Sequence, residues 1–114
     1  VEDEDTNYIY FEEILVELNI IIHRAKNGQE ALEMMEENRE IRIVLMDIKM
    51  PVMNGYDATR IIKKKYPGVP VIAQTAYGME EDKLKAFEAG CDDYISKPIE
   101  KKQLVKIIEK YLVE

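Results

Sequence analysis

The chain has 114 residues, a formal net charge of −7, 46% hydrophobic and 34% charged residues. That length holds one domain with a real core and not two, and the acidic balance argues against a nucleic-acid or anionic-membrane surface, which needs clustered Lys and Arg. A lone Cys91 rules out an internal disulfide and fits a reducing cytoplasm, and neither a signal peptide nor an apolar run near the ~20 residues of a membrane span is present.

The first residues, Val1-Glu2-Asp3-Glu4-Asp5, read as a chain entered mid-element. From Thr6 to Leu18, Tyr8, Phe11, Ile14, Leu15 and Leu18 recur on one helix face, with Thr6 or Asp5 as N-cap and Asn19 as a left-handed stop. Ile20 to Ala25 is short and β-branched, so it predicts a strand. Asn27-Gly28 turns the chain into a second helix, Gln29 to Asn38, with Ala31, Leu32 and Met35 inward.

Ile43 to Met46 is an apolar run of the buried-strand type. It carries Asp47 to its C-terminal tip, before breaks at Met50-Pro51 and Asn54-Gly55. A third helix follows from Gly55 to Tyr66, packing Ala58, Ile61 and Ile62, with Lys63-Lys64-Lys65 as a solvated face. Pro67-Gly68 ends it.

Val69 to Gln74 predicts a strand running into Thr75-Ala76. The fourth helix, Met79 to Ala89, offers Leu84 and Phe87 as its best core candidates, and Gly90 closes it. Asp93 to Ser96 is a last strand, ending at Lys97-Pro98. Glu100 to Val113 completes the chain as a helix with Leu104, Ile107, Ile108, Tyr111 and Leu112 on one side.

Alternating strands and helices imply an α/β doubly wound domain, a parallel sheet with helices on both faces, spanning residues 1–114. Four strands are visible, and a first one is expected ahead of the first helix, with Val1-Glu2 as its last residues. A buried strand contributes about four apolar residues at roughly 1.5–3 kcal/mol each. That rivals the ~5–15 kcal/mol net stability of a domain, so the sequence predicts either residues upstream of Val1 or a borrowed strand.

In such sheets ligands bind outside the carboxyl ends of the strands. The tips here present Glu2 and Asp3, then Asp47, Thr75 and Lys97. Three converging carboxylates repel unless one takes a proton or a cation sits among them. A hard divalent ion such as Mg²⁺, which keeps waters beside one or two carboxylates, is the natural remedy and can orient phosphoryl oxygens. Lys97 would supply a point charge and Thr75 a hydrogen bond to a phosphate.

The chain resembles a response-regulator receiver domain of two-component phosphorelay signalling. The resemblance rests on Glu2-Asp3, Asn27-Gly28-Gln29-Glu30-Ala31-Leu32, Met46-Asp47-Ile48-Lys49-Met50-Pro51 with Gly55, Thr75-Ala76, and Tyr94-Ile95-Ser96-Lys97-Pro98, in order and at family-like spacing. It implies a flavodoxin-like five-stranded sheet of order 2-1-3-4-5, most of its first strand missing. It also implies that Asp47 accepts a phosphoryl group from the phosphohistidine of a histidine kinase or histidine phosphotransfer domain. Asp3, Asp47 and the backbone carbonyl of Lys49 would ligate Mg²⁺ or Mn²⁺, with Glu2 acting through a water. Lys97, before a cis Pro98, would bind a phosphate oxygen, Thr75 would swing toward it, and Tyr94 would rotate inward.

Further implications concern output and persistence. The changed surface would be that of helix four, strand five and helix five, which is also a candidate dimer contact. Lys49 and Tyr77, two residues after Asp47 and Thr75, occupy positions that tune phosphate lifetime, and their bulk predicts a long-lived phosphorylated state. A receiver is a phosphoacceptor with self-catalysed transfer and dephosphorylation rather than a conventional enzyme, and it works in the cytoplasm.

Three rival functions would require other residues than these. An aspartyl-phosphate phosphatase wants Asp-x-Asp-x-Thr/Val at a strand end, and neither Asp3-Glu4-Asp5-Thr6-Asn7 nor Asp47-Ile48-Lys49-Met50-Pro51 fits. A flavin carrier needs a Ser/Thr/Gly-rich phosphate loop that the chain lacks. A phosphorylation-independent receiver-like scaffold is the alternative that intact site residues disfavour. His23 reads as a strand-surface or packed histidine, Met46, Met50 and Met53 as core and loop fillers, and Cys91 as inert.

Overall fold

The structure, a computed structural model, describes residues 1–2, 5–18, 20, 22–48, 55–75 and 80–112. Five helices and three strands alternate within it: α1 (Asp5–Val16), α2 (Gly28–Glu37), β1 (Val44–Asp47), α3 (Gly55–Lys65), β2 (Val71–Thr75), α4 (Glu80–Ala89), β3 (Asp93–Ser96) and α5 (Lys101–Leu112). The strands form one parallel sheet in the order β1-β2-β3, pairing Asp47 with Gln74 and Thr75 with Ser96. They are the third, fourth and fifth strands of the expected order.

Side chains alternate across the sheet as the two-residue strand period requires. Val44, Met46, Val71 and Ala73 face α2, α3 and α4, packing with Met35, Ala58, Ile62 and Ala86. Ile72 and Ile95 face α1 and α5, packing with Phe11, Ile14, Leu15, Leu104 and Ile108. The sheet is therefore buried on both sides, which is why its strands read as continuous apolar runs.

Local chemistry sets several boundaries. Asn27 caps α2 with its side-chain oxygen, accepting from the Glu30 amide at 2.9 Å, while the Glu30 carboxylate accepts from Lys26 N at 3.1 Å. This is the reciprocal arrangement of a capping box, shifted by one residue at the carboxylate's partner. α1 starts at Asp5 itself, so Asp5 and Thr6 lie inside the helix and its cap falls outside the described residues, as does Asn19.

Two expectations are corrected. Ile20 to Ala25 forms no strand among its described residues. A strand needs a ladder, and the residues beside this one supply a single described backbone bond, Glu2 N–H to Ala25 O at 2.9 Å. Val1 sits on the other side, its nitrogen donating to Leu45 O and its carbonyl accepting from Asp47 N, which is the bonding of a parallel neighbour of Met46. A cavity of about 430 Å³, lined by Val1, Ile22, Ala25, Ile43, Leu45 and Ile108 among others, lies next to these residues.

The second correction concerns α4. Leu84 and Phe87 are 64% and 47% exposed, and Ala86 and Ala89 take the buried face instead. Small side chains let α4 approach β2 and α3 closely, leaving the two large ones on the outer side.

Lys63 is not the solvated residue its basic run suggests. Its ammonium donates to Pro67 O and Val69 O, both at 3.1 Å, and to Asp92 Oδ2 at 2.9 Å. Asp92 Oδ2 also accepts from Val71 N at 2.9 Å, so one ion pair ties the end of α3 to the start of β2 and to the turn before β3. Among the described residues, Lys65 forms only an exposed pair with Glu36. Lys63→Met is expected to lower unfolding free energy by about 1–3 kcal/mol, because a charged donor with several acceptors is lost. Lys65→Met is expected to stay within about 0.5 kcal/mol, and urea denaturation of both variants checks the contrast.

Candidate functional site

The parallel register brings three chain-distant residues to one edge of the sheet. Asp47 ends β1 and Thr75 ends β2, while Lys97 follows β3. Lys97 N–H donates to Thr75 O at 2.8 Å, which carries the β2–β3 ladder one step beyond Thr75–Ser96. Lys97 Nζ reaches Asp47 Oδ2 at 3.2 Å, and the Lys97–Pro98 peptide is cis.

Burial separates these groups from surface charges. Asp47 is 3% exposed and Glu2 is 3% exposed, while Thr75 is buried with its Oγ1 lacking a hydrogen-bond partner among the described residues. The ladder bonds of Val1 place Glu2 beside Asp47 at adjacent strand tips. A carboxylate removed from water is costly unless a cation or hydrogen bonds compensate it. Lys97 supplies that compensation for Asp47, and its own side chain remains 38% exposed.

Tyr94 lies farther out on β3. Its ring meets Phe87 edge-on with centroids 6.0 Å apart, and Lys83 Nζ stands 4.6 Å from its centroid. It is half-buried on the α4 side of the sheet, neither at the Asp47 edge nor free in solvent. Asp3, Lys49 and Tyr77 lie outside the described residues.

The donor set suits a hard divalent ion. Glu2 and Asp47 offer buried carboxylate oxygens, and Mg²⁺ uses one or two carboxylates with water completing its shell. No group of three or more His, Cys, Asp or Glu side chains that could cage a metal occurs among the described residues. The fit is that of an open site, with the remaining positions of the ion's shell left to solvent.

Two features escaped the sequence reading. Gly55 packs the start of α3 directly onto the Asp47–Ile48 backbone: its N–H donates to Ile48 O at 3.0 Å, and a Cβ there would fall 2.5 Å from Asp47 O. Gly55 was legible as a breaker, but the close approach needs the fold. Arg24, whose guanidinium donates to Glu2 O at 3.2 Å, carried no sequence signal at all.

Cys91 is 5% exposed and its thiol donates to Thr59 Oγ1 at 3.7 Å; burial pushes its pKa up, so it stays protonated and unreactive. His23 is exposed, in keeping with a surface role.

Gly55→Ala forces the new methyl against backbone atoms that cannot retreat as a side chain end would. An overpacking cost of about 1–3 kcal/mol is expected, together with altered amide chemical shifts around Asp47 and Ile48. Urea denaturation and two-dimensional NMR check both.

Comparison with known proteins agrees with this geometry. The family model for the response regulator receiver domain matches residues 1–109. Hybrid signal transduction histidine kinase G of Dictyostelium discoideum is 40% identical over 117 residues, covering 97% of this chain and only 3% of that protein's length. The polar-differentiation response regulator DivK of Brucella anthropi is 35% identical over 114 residues, covering 98% of this chain and 92% of its own.

Solved structures extend the likeness to the fold. The receiver domain of a Pseudomonas aeruginosa sensor histidine kinase, determined with a magnesium ion coordinated in its active-site cleft, superposes with a TM-score of 0.87 at 34% identity, over 97% of this chain and 92% of that one. The receiver domain of Saccharomyces cerevisiae Ssk1, crystallised with the histidine phosphotransfer protein Ypd1, superposes at 0.89 with 31% identity, over 96% and 83%. A flavodoxin-like α/β fold, a buried aspartate at the tip of β1, and a family match over nearly the whole chain lead to one conclusion: the chain belongs to the response regulator receiver domain family of two-component signalling.

Proposed function

We propose that Asp47 is the phosphoacceptor of this receiver domain and that a phosphohistidine of a histidine kinase or phosphotransfer domain is its donor. The observation that carries this reading is the buried Asp47 carboxylate held 3.2 Å from Lys97 Nζ, with Glu2 and Thr75 at neighbouring strand tips. An Asp47 oxygen attacks phosphorus, a P–O bond forms as the P–N bond breaks, and the departing imidazole retains or takes up its proton. Hydrolysis reverses the state when water attacks phosphorus and frees the carboxylate.

Each neighbouring side chain has a task in this scheme. Glu2, Asp3, Asp47 and the Lys49 carbonyl would hold Mg²⁺ or Mn²⁺, with Glu2 acting mainly through solvent. Bound there, the ion neutralises and orients phosphoryl oxygens. Lys97 exchanges its contact with Asp47 for one with a phosphoryl oxygen. The Thr75 hydroxyl, buried and without a described partner, donates to another.

A hydrogen bond to a charged group nets about 1.5–3 kcal/mol, enough to invert an equilibrium whose active form is a minor state. Movement of Thr75 would make room for Tyr94 to leave Phe87 and Lys83, altering the surface of α4, β3 and α5. Leu84 and Phe87, exposed on α4, give that surface apolar area for a partner or a second copy to cover. Lys49 and Tyr77 would slow the attacking water and lengthen the phosphorylated state.

The reading draws support from relatives: the sensor-kinase receiver with magnesium in its cleft, and the Ssk1 receiver with its phosphotransfer partner. No helix among the described residues is long and apolar enough to cross a membrane, and a cytoplasmic site of action is proposed with the rest.

Incubation with a small-molecule phosphodonor and Mg²⁺ tests it by intact mass. Wild type is expected to gain one phosphoryl group, Asp47→Asn none, and wild type with excess chelator little. Lack of any gain by folded wild type would favour the phosphorylation-independent scaffold.

A further inference from the structure

Gln74 is out of keeping with its strand. Val71, Ile72 and Ala73 before it are apolar and fully buried, and Gln74 itself is 2% exposed. Its Oε1 has no hydrogen-bond partner among the described residues. A buried acceptor left unpaired costs stability, whereas an apolar group of the same shape would cost little there. β-branched residues also suit a strand better than glutamine does.

The position of this side chain links it to the phosphoacceptor. Gln74 is the register partner of Asp47 across the β1–β2 ladder. Directly paired residues share a face, and the two-residue period puts both with Leu45 and Ile72 on the side of α1 and α5. Glu2 follows Val1, the parallel neighbour of Met46, and so stands across from Asp47 on its other flank. Glu2 and Gln74 also line the same cavity. Three oxygen-bearing side chains thus form one row across the strand tips, with Asp47 in the middle.

The cations near this row have other described acceptors. Lys97 Nζ donates to Asp47 Oδ2, and Arg24 Nε donates to the Glu2 carbonyl. Water is the donor that a buried acceptor at a cavity wall can use, provided another group orders it. A divalent ion at Asp47 would order its waters, and Mg²⁺ sheds them reluctantly.

We propose that Gln74 is a positioning residue for divalent-cation binding, its carboxamide oxygen accepting from a water in the shell of an ion held at Asp47. The inference rests on the metal-assisted reading above. An amide suits this place because a further carboxylate would add repulsion to Glu2 and Asp47, and an apolar side chain would leave the water without an acceptor. Removing the carboxamide then has two effects of opposite sign: the fold is relieved of an unpaired acceptor, and the ion's shell loses a hold. A residue that only packs the core would lose stability instead and would not discriminate between ions.

The test is Mn²⁺ binding to the 114-residue chain, read from the electron paramagnetic resonance signal of the free ion with no phosphodonor present, with Mg²⁺ and Ca²⁺ measured by competition. Gln74→Met and Gln74→Leu are each expected to weaken Mn²⁺ and Mg²⁺ about 3- to 10-fold. Ca²⁺, which accepts more protein oxygens and flexible geometry, should weaken less than about 2-fold. The urea midpoint of the metal-free variants should equal or exceed that of wild type. Gln29→Met, which removes an exposed amide on α2, should leave all three affinities unchanged.

Unchanged Mn²⁺ and Mg²⁺ affinity in both Gln74 variants would overturn the proposal. An equal loss for all three ions would do the same, as would a lowered urea midpoint in both variants, since either shows a packing role. Absence of Mn²⁺ binding by wild type would instead sink the metal-assisted reading, and this inference with it.

Discussion

A carboxylate at 3% exposure has given up its water, and an ammonium 3.2 Å away helps compensate it. The pair Asp47–Lys97 joins residues fifty positions apart in the chain, so it exists only if β1, β2 and β3 lie parallel and in register. The rest of the structure serves that condition. The β2–β3 ladder continues through Lys97 N–H to Thr75 O, which sets the backbone from which Lys97 reaches across. Lys63 and Asp92 tie the opposite end of the same strands to α3. Gly55 lets α3 begin against the Asp47 backbone itself.

This arrangement also explains why the site is poised for exchange rather than sealed. Lys97 keeps 38% of its side chain exposed, so its contact with Asp47 faces the edge of the sheet and not the core. On the proposed reading, a dianionic phosphoryl group arriving there would meet a cation whose described partner is one Asp47 oxygen. Thr75, buried with no described partner for its hydroxyl, is a donor held in reserve at the next tip. The proposed chemistry would need only small movements at strand ends while the two-faced core stays fixed.

Much of this was legible in the sequence, for identifiable reasons. Asp47 stood out because an apolar run buried on both faces ends abruptly in an acid and then in breakers. Lys97 and Thr75 stood out because their strands end the same way. Ile20 to Ala25 misled because β-branched residues favour extension, whereas a strand is defined by its neighbour's hydrogen bonds, and only Glu2 supplies a described one. Leu84 and Phe87 misled because helical period identifies a large apolar face but not whether close approach demands alanines instead. Lys63 and Arg24 were hidden for another reason: a long cation binds carbonyls brought near by folding, and carbonyls leave no mark on the sequence.

The central claim is that Asp47, and no other carboxylate, receives the phosphoryl group. Borohydride cleaves an acyl phosphate and leaves homoserine in place of the aspartate that carried it, so peptide mass mapping after phosphorylation and reduction names the acceptor directly. The account predicts homoserine at position 47 alone, appearing only when the phosphodonor is present. Homoserine at another aspartate, or phosphate retained on a residue that borohydride does not reduce, would contradict it.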